Sequence, residues 1–143
     1  VNALVIYDSV HGNTEKIAQA IAKAIGGQLC RVGQVNPADL RGCNLLIVGS
    51  PTHGGFPTEG IHRMLKASLV LKEVNVAAFD TRTATTIFGY AAPKIARSLQ
   101  KNGGNLLALP EGFLVKGMEG PLKDGELERA TKWAKSLSDQ LPK

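Results

Sequence analysis

Apolar positions along this chain alternate between short unbroken runs and longer stretches with helical spacing. Ala3-Leu4-Val5-Ile6-Tyr7 is a continuous apolar run, the pattern of a strand buried on both faces. From Thr14 to Ile25, residues Ile17, Ile21, Ala24 and Ile25 recur at helical spacing, and Gly26-Gly27 supplies a stop. Leu29 to Val32 reads as a weaker strand whose Arg31 places it at a sheet edge. Pro37-Ala38-Asp39-Leu40 leaves room only for a turn or one helical turn. Leu45-Leu46-Ile47-Val48 is a second buried strand, and Thr58 to Leu69 a helix with Ile61, Met64, Leu65 and Leu69 on one stripe. Val74 to Phe79 is the next strand; Pro93 to Lys101 is the body of a helix that ends near Gly103-Gly104. Leu106 to Leu109 is the last strand expected. After a Gly- and Pro-containing stretch from Pro110 to Pro121, Asp124 is the expected cap of a final helix with Leu127, Ala130, Ala134, Leu137 and Leu141 facing inward.

Five strands joined by helical crossovers within 143 residues predict one α/β domain over the whole chain, a doubly wound five-stranded parallel sheet. Such sheets bind ligands beyond the carboxyl ends of their strands, near the point where strand order reverses. The informative segments are therefore residues 8–13, 50–57, 80–90 and 110–120.

Composition narrows the class. Hydrophobic residues make up 43% and charged residues 20%, ordinary for a water-soluble globular domain, and no apolar run approaches the roughly 20 residues of a membrane helix. The first residues lead straight into the apolar run, without the basic segment or cleavage site of a signal peptide, so a cytoplasmic protein is expected. Cys30 and Cys43 lack metal-ligand spacing and read as reduced, small hydrophobes. The net charge of +5 comes from 17 basic residues scattered along the chain, with only 5% aromatic residues to stack on bases. That distribution argues against a nucleic-acid role and for an acidic partner.

The first of the four segments carries the most chemistry. Ser9-Val10-His11-Gly12-Asn13-Thr14 lies between a buried strand and a helix start. Ser9, Asn13 and Thr14 bring side-chain hydrogen bonds, and free N–H groups at the helix start add partial positive charge, which together suit an anion. The loop has no Lys or Arg, and neither GxxxxGK[ST] nor G-x-G-x-x-G is present. On the residues alone, the alternative is that Ser9 and Thr14 merely cap a helix and Gly12 makes a turn. The run from Val5 to Thr14, followed by Ala18 and Ile21, resembles the flavodoxin N-terminal signature at every specified position. The resemblance extends over the chain in order of elements and, with no long insertion in the last strand, is to the short-chain type. It implies a sheet of order 2-1-3-4-5, FMN as cofactor, and its phosphate held by Ser9, Val10, His11, Gly12, Asn13 and Thr14.

The same resemblance assigns Pro51, Thr52, His53, Gly54, Gly55 and Phe56 to the inner face of the flavin ring. His53 stands where the family often has Trp, and Gly54 matches the residue whose peptide turns to meet N5 of the ring. In the third segment, Thr81, Arg82, Thr83 and Tyr90 are expected to border the ring, but the usual stacking Tyr aligns with Thr85 or Thr86. Phe88 reads as a core aromatic, whereas Tyr90 fits a displaced stack or a helix-start aromatic. The usual acidic surface is missing. The resemblance thus implies a low-potential electron carrier between redox proteins. An FMN-dependent reductase of a quinone or similar acceptor, and an interaction module without flavin, are the alternatives.

Little else competes. His62 reads as a solvated or packed side chain and Trp133 as a packing residue beside the final apolar stripe. Glu59, Glu73, Glu111 and Glu126 form no spaced acid–base pair. A phosphoacceptor domain would need clustered acids after the first strand, where this chain has Asp8 alone.

Overall fold

The computed structural model describes residues 2–40, 42–67, 69–84 and 89–141, with the backbone alone at 37 and 38. Strands β1 (Ala3–Tyr7), β2 (Gln28–Arg31), β3 (Leu45–Pro51), β4 (Asn75–Arg82), β5 (Asn105–Leu106) and β6 (Glu111–Leu114) interleave with helices α1 (Asn13–Ile25), α2 (Glu59–Lys66), α3 (Ala91–Lys101) and α4 (Glu126–Asp139). Every strand pair is parallel, in the order β2-β1-β3-β4-β5, with β6 also on β4. The expected order 2-1-3-4-5 is the one observed, and β2, with Arg31, lies at the edge.

Strand alternation divides the core in two. Val5, Tyr7, Leu45, Ile47, Ala77 and Phe79 face α1 and α4, while Leu4, Ile6, Leu46, Val48, Val76 and Ala78 face α2 and α3. Both sheet faces are buried, which is why β1 and β3 read as unbroken apolar runs rather than as alternation. Trp133 packs edge-on against Phe79 and Phe113, ring centroids 6.2 and 6.0 Å away. Cys30 and Cys43 are free and half-buried at the border of the second cluster, where burial pushes both thiols up. His62 is exposed.

Three expectations need correction. The last strand is not Leu106 to Leu109 but two pieces. Val76 pairs with Leu106 and Phe79 with Glu111, so three steps along β4 are matched by five along its neighbour. Two extra residues bulge out, beside a proline that has no N–H to give the ladder. The final helix is preceded by Gly125 in a left-handed conformation rather than capped by Asp124, and Leu127 is 43% exposed while Glu126 takes the buried place. α2 ends at Lys66, leaving Leu69 to pack from outside the helix; at its start the Thr58 hydroxyl accepts the Ile61 N–H at 3.4 Å. Phe88, Thr85 and Thr86 lie outside the described residues.

Candidate functional site

β1 delivers the chain into a loop whose hydrogen bonds are made largely by its own short polar side chains. The Ser9 hydroxyl oxygen accepts from the N–H groups of Gly12 at 3.1 Å and Glu15 at 3.3 Å. Its proton stays available for a further acceptor. Gly12, left-handed at φ 89°, is the N-cap residue of α1 and has no side chain to offer; Ser9 caps from three residues further back through the Glu15 N–H in the first turn, whereas Thr14 does not cap. The first N–H groups of α1 have no acceptor within the helix. Instead of capping, Thr14 pairs its buried hydroxyl with that of Thr81 at 2.7 Å, joining the loop to β4. Asn13 donates its side-chain amide to the Glu119 carbonyl at 3.2 Å, joining it to the segment after β6.

Asp8 ties this loop to the next. Its carboxylate accepts the Ser9 N–H at 2.9 Å and the Thr58 hydroxyl at 2.6 Å, and Thr58 in turn gives its N–H to the Ser50 hydroxyl at 2.9 Å. Tyr7 points to the other face and donates to Glu15 at 2.6 Å. Burial, then the Glu15 hydrogen bond, push its hydroxyl above the ordinary phenol range.

The second loop is not the loose turn that Gly54-Gly55 alone would suggest. His53 and Phe56 exchange two backbone hydrogen bonds of 2.8 and 2.9 Å, and Gly54 and Gly55 both have positive φ, 56° and 86°. Those angles are the requirement of a type I′ hairpin turn, open to glycine at little cost. Lys94 donates to the Gly55 carbonyl and lies 4.0 Å from the Phe56 ring centroid. Phe56 stays 59% exposed. Thr52 donates its N–H to the Thr81 carbonyl at 2.9 Å and accepts the Ala91 N–H on its hydroxyl at 3.2 Å.

In the third segment, Thr81 and Arg82 close β4 rather than open a loop. Asp80 is fully buried and receives Arg82 on both oxygens, at 2.7 and 2.8 Å, with the Ala92 N–H at 2.9 Å as a third donor. The guanidinium carbon sits 3.4 Å from the Tyr90 ring centroid. On its other side runs Gly112, where a Cβ would come within 2.2 Å of the guanidinium. Only glycine at 112 leaves Arg82 this position. Arg82 is therefore a paired charge, and Tyr90 stacks on its guanidinium.

The three segments and the residues after β6 enclose a cavity of about 450 Å3. Val10, His11 and Asn13 line it from the first loop; Pro51, Thr52, His53, Gly54 and Gly55 from the second; Thr81, Arg82 and Thr83 from the third. Ser9, Gly12, Thr14, Phe56 and Tyr90, also expected at the site, do not line it. Val115 and Met118 do, and sequence reasoning missed them because they belong to a stretch expected to be irregular. Among the described residues, no three His, Cys, Asp or Glu side chains gather into a metal-binding group, and no helix is long and apolar enough to cross a membrane.

A family model described as flavodoxin matches residues 5–133. The chain belongs to the flavodoxin family, and as a member it is an FMN-binding electron-transfer protein. Oxidised flavodoxin 1 from Bacillus cereus superposes with a TM-score of 0.86 at 18% identity, covering 99% of this chain and 100% of that one. Flavodoxin 2 from the same organism gives 0.86 at 21%, with the same coverage. A flavodoxin from the domain Archaea gives 0.83 at 21%, covering 98% of each chain. No curated protein sequence matches the chain. The cavity fits the family's cofactor in size, being within the roughly 300–1,000 Å3 of small-molecule sites. It fits in chemistry too: the Ser9 hydroxyl proton and the first N–H groups of α1 are neutral donors of the kind a phosphate accepts from.

Proposed function

We propose that this chain is a single-domain, cytoplasmic FMN carrier of low-potential electrons between redox proteins. Residues 9–14 hold the phosphate, residues 51–56 and 81–83 border the ring, and Tyr90 acts through Arg82. FMN when bound supplies the redox chemistry, and the protein supplies its orientation and electrostatic surroundings. The carrying observation is the shape of the cavity mouth. The ends of β3 and β4 give it Pro51, Thr81 and Arg82, while Val10, His11, His53 and Met118, from the loops around it, are all exposed. A carrier needs such an open edge, within reach of a partner protein. Two features support the rest of the reading. The net charge of +5, with Lys94 against the second loop and Lys116 beside Val115, suits a partner with an acidic surface. Free thiols at Cys30 and Cys43 suit the cytoplasm.

Titration of the apoprotein with FMN and with riboflavin tests the phosphate site. The Thr14→Ala variant removes the buried hydroxyl bond to Thr81 that ties this loop to β4, and is expected to lose up to about tenfold in FMN affinity, about 0.5–1.5 kcal/mol for a neutral hydrogen bond, while riboflavin binding barely changes. Equal affinity of the parent for both ligands would sink the assignment. Stopped-flow mixing of the reduced protein then tests the role. Fast electron transfer to an acidic one-electron acceptor protein, with slow transfer to a small quinone, is expected of a carrier; the reverse makes the protein a reductase.

A further inference from the structure

Arg31 is in none of the segments that face the cavity. It ends the edge strand β2 opposite Tyr7, and its guanidinium reaches just past the end of the neighbouring β1 to donate to the Ser9 carbonyl. The same group stands 3.7 Å from the Asp8 carboxylate and 5.7 Å from the centroid of the Tyr7 ring. We propose that Arg31 is the positioning residue of the phosphate loop, fixing the Ser9–Val10 peptide so that the loop meets the FMN phosphate with N–H groups rather than with a carbonyl.

The argument follows the loop peptide by peptide. Asp8 holds the Ser9 N–H, and the Ser9 hydroxyl holds those of Gly12 and Glu15. The Ser9–Val10 peptide is anchored by Arg31. In a planar trans peptide the C=O and the following N–H point in opposite directions. With the Ser9 carbonyl drawn toward β2, the Val10 N–H is turned away from β2, and Val10 and His11 are the residues of this loop that reach the cavity together with Asn13. A carbonyl rotated toward an anion would oppose binding. Arginine suits the task because its several donors can serve one carbonyl and face a carboxylate at once, with its flat face on a tyrosine. Asp8 offsets its charge, so Arg31 acts through the peptide and not as a free cation.

The inference rests on the placement of the phosphate at residues 9–14 proposed above, and its test separates the two. Parent, Arg31→Met and Arg31→Gln apoproteins are titrated with FMN and riboflavin at low and high salt, and their melting temperatures are read with inorganic phosphate. The Arg31 side chain is 42% exposed, so its loss empties no core. Both variants are expected to bind FMN roughly tenfold more weakly, about 1.4 kcal/mol, with riboflavin unchanged. The penalty should be the same at both salt concentrations, and phosphate should stabilise the variants less than the parent. An unchanged FMN-to-riboflavin ratio, equal weakening of both ligands, or a penalty that vanishes in salt would each overturn the role of Arg31. A parent that does not distinguish the two ligands would instead overturn the phosphate placement itself.

Discussion

Each end of the cavity is built on an aspartate that ends or nears the end of a strand and on an arginine beside it, but the two pairs are made differently. At the ring side, Asp80 is fully buried, meets Arg82 through two short bonds and takes a backbone N–H as well. At the phosphate side, Asp8 and Arg31 are 3.7 Å apart and partly solvated, and each does its shorter-range bonding elsewhere, Asp8 to Ser9 and Thr58, Arg31 to the Ser9 carbonyl. A desolvated bidentate pair holds its own geometry and costs a great deal to break. A loose pair contributes little as an ion pair and more through the backbone groups it orients. The end proposed for the ring is thus held by a closed pair, and the end proposed for the phosphate is a loop aimed by side chains behind it.

The largest effect should come from breaking the closed pair. Arg82→Gln leaves the buried Asp80 carboxylate with the Ala92 N–H and whatever the shorter amide can reach. A loss of about 3 kcal/mol is expected in urea unfolding at neutral pH, at the low end for breaking a buried ion pair. The same variant should lower the reduction potential of the bound flavin, because a paired cation is removed and the carboxylate charge is left. One unit charge about 10 Å away through water amounts to roughly 20 mV, and buried surroundings screen less. A stability change under 1 kcal/mol would mean that the closed pair is no different from the open one. A potential that stays put or rises would remove the pair from redox control.

A third arginine–carboxylate cluster gives a control away from the cofactor. Arg129 joins Glu111 and Glu126, and Glu126 also accepts the Leu114 N–H at 2.7 Å, tying α4 to β6. The Arg129 hydrogen bond holds the Glu126 carboxyl below its ordinary value near 4.5, with burial working against it. A carboxyl whose folded pKa is depressed stabilises fully above its unfolded pKa and loses that stabilisation as pH falls through the folded one. Glu126→Gln should therefore cost about 1–2 kcal/mol at pH 7, with the gap from the parent closing progressively below about pH 4.5. Urea titrations at pH 7 and pH 3 read this directly. The FMN-to-riboflavin ratio should not move; if it did, specificity would not reside in the phosphate-side pair alone.

How much of this was readable from the sequence depends on whether the partners are local. β1, α1 and the turn between them were legible because burial on both faces, helical spacing and the loop's short polar residues all lie within one stretch from Ala3 to Ile25. The split of β5 from β6 was not, because the register of β4 sets it, and Leu106 to Leu109 looks unbroken in isolation. Arg31 read as an edge-strand polar residue, since its acceptor is 22 positions earlier and comes beside it only through the pairing of β2 with β1. Two pairs did leave a local signal that went unused. Asp80 and Arg82 are opposite charges on one strand face, and Glu126 and Arg129 are three apart on a helix. Ser9 was legible for the same local reason: its hydroxyl accepts a first-turn N–H of α1, at Glu15, and closes the loop on Gly12 as well.

The smallest effect expected is also the one that best separates the two ends of the cavity. His53 is exposed on the cavity wall, held at the base of a two-glycine hairpin turn whose backbone bonds do not involve its side chain. His53→Trp enlarges the flat surface at this position without altering the turn. If the second loop borders the ring, the variant should tighten flavin binding by about 0.5–1.5 kcal/mol, as an added aromatic contact does. The gain should be the same for FMN and riboflavin, because both carry the ring and only one carries the phosphate. Changes at Thr14 and Arg31 should move the ratio of the two affinities, while a change at His53 should move both affinities and leave the ratio alone. Weaker binding, or a gain confined to FMN, would show that His53 does not meet the ring and that the division of the cavity into two ends is drawn in the wrong place.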